Sequence, residues 1–95
     1  MITDMNSLQS NLDLLAYMRT LAAELEALDA QKDARCVIDA SKFASGSPSE
    51  FLHEARIALA RVLRLHEKDL PTKQTEDLRS VIRQIDDAFR RIGGA

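Results

Sequence analysis

The chain has 95 residues and a formal net charge of −2, with 45% hydrophobic and 29% charged side chains. That length and balance fit one globular domain, and they exclude both a disordered segment and a strongly basic nucleic-acid binder. A chain this short buries only about 60–65% of its surface on folding, so its stability margin is thin without a partner.

Three glycines and two prolines interrupt a chain dominated by Ala, Leu and Arg, which favours helix. The start, Met1-Ile2-Thr3-Asp4-Met5, has neither a basic stretch nor an apolar run, so no signal peptide is expected. No apolar stretch approaches the roughly 20 residues that span a bilayer. The single cysteine, Cys36, cannot form an internal disulfide, which agrees with a reducing, cytoplasmic setting. The negative charge is concentrated early. Asp4, Asp13, Glu24, Glu26 and Asp29 face only Arg19 before residue 32, whereas residues 46–95 are close to balance. An acidic first segment suits a basic protein partner better than nucleic acid.

The first helix is expected over about residues 7–29, capped by Asn6 or Ser7. Leu14, Met18, Leu21, Leu25 and Leu28 follow a 4-3-4-3 spacing, with Leu8, Leu15 and Ala22 beside them. The stripe then fails, because Asp29 and Asp33 point where it should continue. It resumes with Cys36, Val37, Ala40 and Phe43 in a segment over about 33–44. An unpaired buried carboxylate is costly, so a break or bend near Ala30-Gln31-Lys32-Asp33 is the preferred reading over a continuous helix.

Gly46-Ser47-Pro48-Ser49-Glu50 marks the sharpest boundary. Ser47 can cap a helix, Pro48 suits its first position, and Glu50 stands where a capping box needs it. The helix over about 48–69 is expected to bury Phe51, Leu52, Ala55, Ala58, Leu59, Val62, Leu65 and His66, and leaves Ile57 outside. Its early Glu50 and Glu54 and late Arg61, Arg64 and Lys68 complement the helix dipole. Pro71 ends it, and Thr72 or Thr75 can cap the last helix, about 73–92. There Leu78, Val81, Ile82, Ile85, Ala88, Phe89 and Ile92 share one face, and Asp86–Arg90 and Asp87–Arg91 are four apart. Gly93 suits a left-handed cap. The short connections imply antiparallel neighbours. The expected fold is all-α: an antiparallel three-helix bundle, or four helices if the first is broken near residues 29–33.

No residue pattern calls for catalysis, a cofactor or a metal. Glu50-Phe51-Leu52-His53 has the Glu-x-x-His spacing of di-iron bundles, but one copy without further inward glutamates does not make such a site. His66 on an apolar face reads as a hydrogen-bonded core or rim residue, since the spacing suggests no partner for it. Cys36 reads as a small buried hydrophobe, because Arg35 alone does not establish the electropositive setting of a reactive thiol. Arg56, Arg61, Arg64 and Lys68 form a stripe that phosphate could use. Interspersed acids, and Glu76, Asp77, Asp86 and Asp87 on the last helix, argue against nucleic acid.

The candidate contact surface is acidic: Asp13, Tyr17, Glu24, Asp29 and Asp33. A tyrosine at the edge of an apolar stripe among acids has the character of a binding hot spot for a basic protein. Its alternative is a half-buried tyrosine beside a solvated face. At Gly46-Ser47-Pro48-Ser49-Glu50-Phe51-Leu52-His53-Glu54-Ala55, taken with the acidic first helix, the chain resembles small helical bacterial immunity proteins. These are inhibitors of contact-dependent growth-inhibition toxins and colicin-type nucleases. The resemblance covers the helices beyond residue 47 and implies a non-enzymatic cytoplasmic protein that binds and neutralises a toxin domain, often a basic nuclease. A helical homodimer is the alternative, favoured by the 4-3 spacing along Leu14 to Leu28 and by the outward Ile57. A small DNA-binding regulator ranks third.

Overall fold

The computed structural model describes residues 11–92. Among them are four α-helices: α1 (Asn11–Ala27), α2 (Gln31–Ser41), α3 (Pro48–His66) and α4 (Thr72–Ile92), with a single 3-10 turn, Lys42–Ser45, prolonging α2. The four-helix form of the expected fold is therefore the one found. The proposed Asn6 or Ser7 cap, the packing of Leu8 and the Gly93 cap lie outside the described residues.

The break between α1 and α2 is a hydrogen-bonded reversal. Asp29 has φ 63, the left-handed conformation that side chains other than glycine rarely adopt. The Ala30 amide donates to the Leu25 carbonyl at 2.8 Å, and the Asp29 amide donates to that of Glu26 at 3.0 Å. This pair of bonds is the Schellman ending of a helix, with an aspartate in the place usually taken by glycine. Ala30 packs on the core while Leu28 turns outward, 45% exposed, so the first apolar stripe stops at Leu25.

The core fills from all four helices. Leu14, Met18, Leu21 and Leu25 of α1 meet Ala34 and Val37 of α2, Phe51, Leu59 and Val62 of α3, and Leu78, Val81 and Ile85 of α4. Ser47 caps α3, accepting the Glu50 amide at 3.5 Å, and Pro48 is its first residue. α3 and α4 run antiparallel: Arg56 pairs with Asp86 at 2.5 Å, His53 stacks edge-on against Phe89 at 6.4 Å, and Glu67 pairs with Arg79 at the other end.

Several sequence expectations are corrected in detail. Leu65 is 48% exposed, because it stands at the edge of the α3 stripe whose centre is carried inward by Val62 and His66. Phe43 sits in the 3-10 turn, whose tighter winding rotates it off the α2 stripe, and it is 36% exposed. Thr75 is not a cap. It is buried in the first turns of α4 and donates its hydroxyl to the Pro71 and Glu67 carbonyls, stitching the end of α3 to the start of α4. Asp86 pairs across to α3 instead of along its own helix, and Arg90 pairs with Asp87 three residues away.

Replacing Asp29 by glycine relieves the left-handed backbone. Asp29→Gly is expected to raise unfolding stability by about 0.5–1 kcal/mol in urea titration, and Asp29→Val to lower it.

Candidate functional site

Asp33 is the polar centre of the α2–α3 contact. It opens α2 on the inner face, 8% exposed, and its two oxygens are taken by different helix-α3 partners. Arg61 Nε donates to Oδ1 at 2.9 Å, and His66 Nε2 bonds Oδ2 at 2.6 Å. The other ring nitrogen of His66, Nδ1, bonds Asp69 at 3.2 Å. An imidazolium between two carboxylates, with an arginine beside them, makes a balanced set of two negative and two positive charges. The histidine and arginine bonds hold the Asp33 carboxyl below the usual carboxylate range, in that order of effect. The Asp33 bond, with a smaller contribution from Asp69, raises the His66 pKa against the opposing effect of burial.

This arrangement is structural chemistry. With both ring nitrogens of His66 occupied by carboxylates, neither is left to act as base for a neighbouring thiol. Asp33 and Asp69 sit on opposite sides of the ring, so they do not converge on one ion. Among the described residues no group of three or more His, Cys, Asp or Glu is placed to hold a metal. Glu50 and His53 of the Glu-x-x-His spacing are both exposed, the histidine against Phe89.

Two of the five candidate contact residues are buried and face different helices. Tyr17 is 6% exposed and turned toward α4; Asp33 is turned toward α3. The view of Tyr17 as an open hot spot, and of Asp33 as part of a solvated acidic face, is thus corrected: the tyrosine is part of the buried core, and the carboxylate anchors α2 to α3. Glu24 is half-buried in the α1–α4 seam, where Gln74 donates to its Oε2 at 2.8 Å. Its Oε1 and the Tyr17 hydroxyl are buried with no hydrogen-bond partner. Burial first, and Asp77 second, raise the Glu24 pKa, while burial with Asp77 and Glu24 raises that of Tyr17. Asp13 is half-buried on α1, and Asp29 stands exposed at the α1–α2 turn. The basic stripe on α3 is likewise thinned, since Arg56 is tied to Asp86 and Arg61 to Asp33.

Of the five candidate contact residues, Asp29 is the fully open one, and it lies at the α1–α2 turn; Ile57 is outward on α3 as expected, 54% exposed. Glu26, Leu28 and Asp29 are exposed there. Next to them is a hollow lined by Glu26, Gln31, Arg35 and Ile38, and beyond it a second lined by Gln31, Lys32, Arg35, Cys36 and Arg61. Cys36 is partly exposed, so it is a wall of this hollow and not a buried hydrophobe. The sequence signal for the surface is the failure of the stripe after Leu28, at Asp29 and Asp33. Glu26, Leu28, Lys32 and Arg35 were missed as a group because only the reversed chain brings α1 and α2 together. No helix among the described residues is long and apolar enough to cross a membrane.

The two bonded members of the Asp33 cluster respond oppositely to pH. His66 binds its proton more tightly in the folded chain, so its contribution is complete below about pH 6.5 and is lost as pH rises through the raised value. Asp33 contributes above about pH 4, a contribution lost as pH falls through its lowered value. His66→Gln is expected to cost about 1–2 kcal/mol at pH 6 and to flatten the decline of stability as pH rises above about 6.5, as read by urea titration across pH. Glu24, whose folded pKa is raised, is destabilising when ionised. Glu24→Gln is expected to raise the urea midpoint at pH 7, with the difference shrinking as pH falls through the raised Glu24 value and wild-type Glu24 takes up its own proton.

Comparison of the chain with protein-family models, with curated proteins and with solved structures yields no match.

Proposed function

We propose that this chain is a non-enzymatic protein-binding module. In its most specific form it is a bacterial cytoplasmic immunity protein that binds and neutralises a cognate toxin domain of basic, nuclease type. The observation that carries the binding reading is the α1–α2 turn, where Glu26 and Asp29 flank an exposed Leu28 and, among the described residues, neither acid has a cationic partner. An acidic rim around an apolar side chain is the composition that speeds encounter with a basic surface and then buries area against it. The toxin-neutralising form draws on the likeness of the Gly46–Ala55 segment and the acidic first helix to immunity proteins.

The contact set shifts accordingly within the first proposal. Asp29 stays, and Glu26 and Leu28 join it, whereas Asp13 lies in the first turn of α1, about 20 Å away along the helix. Tyr17, Glu24 and Asp33 support the scaffold beneath. The test uses the product of a toxin-like gene adjacent to the coding sequence, titrated by calorimetry. The double variant Glu26→Gln, Asp29→Asn is expected to weaken binding by about tenfold at low salt, with less effect at high salt, while Tyr17→Phe leaves it unchanged. Equal affinity for the double variant and the wild type, or no interaction with such a product, overturns the reading.

A further inference from the structure

The same turn carries charge of both signs that is left unpaired among the described residues. Among the described residues Glu26 and Asp29 have no cationic partner, and Lys32 and Arg35 have no acidic one. The two sets are neighbours. Glu26 lines the first hollow, Lys32 and Arg61 line the second, and Gln31 and Arg35 form the edge common to both. Apolar side chains flank the row: Leu28 is 45% exposed beside the acids, Leu65 is 48% exposed one helical turn beyond Arg61, and Ile38 is partly buried on the floor.

A surface that is acidic at one end and basic at the other is complementary to itself under a two-fold rotation. Turning a second copy about the Gln31–Arg35 edge lays its Glu26 over the Lys32 side of the first and brings the reciprocal pair together at the same time. From this we propose that the α1–α2 turn, the outer face of α2 and the Arg61–Leu65 stretch of α3 form an isologous interface with a second copy of this chain. The Leu14–Leu25 stripe plays no part, being consumed by the chain's own core. The interface shares its surface with the protein-binding reading, so a second copy holds it when no other partner does. Self-association is measured on the pure chain, and its failure therefore says nothing about affinity for a toxin domain.

Sedimentation equilibrium of the full chain, from low micromolar to about 100 μM, tests this. The expected result is a monomer–dimer equilibrium that weakens as salt is raised. Glu26→Lys and Lys32→Glu, both at exposed positions, are each expected to weaken the dimer by about tenfold, and their combination to restore it. Helical circular dichroism and the urea midpoint confirm that each variant is folded. A wild-type chain that stays monomeric throughout overturns the proposal. So does a dimer indifferent to both single substitutions, or one that the double exchange fails to recover.

Discussion

A carboxylate taken out of water must be met by counter-charge, and Asp33 is where this fold meets that demand. It lies at the first turn of α2, and its partners Arg61 and His66 lie in the last turns of α3. The bond set therefore fixes which end of α3 lies against which end of α2, something apolar contact alone leaves loosely specified. Once that register is set, Val37 and Ala34 face Leu59 and Val62, and the short Lys42–Ser45 turn has only to return the chain to Ser47. Asp69 completes the balance from the turn after α3, next to where Thr75 ties that turn to α4. Loss of one partner leaves a buried charge exposed to the low-dielectric interior, which is far costlier than loss of an exposed ion pair.

The helical architecture was legible because it rests on local rules. The cap at Ser47, the stop at Pro71 and the 3.6-residue stripes of α3 and α4 each depend on residues close in sequence. The break after α1 was legible for a different reason, as an absence: Asp29 and Asp33 stood where leucines should have been. Half of that inference was about energy and half was not. Asp29 is exposed and left-handed, so it ends the helix. Asp33 is buried after all, because Arg61, 28 positions on, arrives to pair with it. Nothing local announces such a partner. The same limit explains Tyr17, whose position on the edge of a helical wheel did not reveal that the fold would bury it.

The polar groups of this small core divide into two kinds. Around Asp33 each charge has an opposite neighbour, and the cluster locates helices. In the α1–α4 seam, Tyr17 and Glu24 carry buried oxygens without partners, and Asp77 adds a like charge nearby. That seam is the less settled side of the bundle. The surface proposed for binding lies instead on the α1–α2–α3 side, where Asp33 ties α2 to α3.

Cys36 gives that side a further use. It is the chain's single thiol and forms part of the wall of the hollow between Lys32, Arg35 and Arg61. A fluorophore or spin label attached through it, with no engineered cysteine and none to remove, is placed at one known spot beside the open charges. The molecule thus comes with its own reporter, and whatever settles over α2 changes the mobility and solvation that the reporter senses.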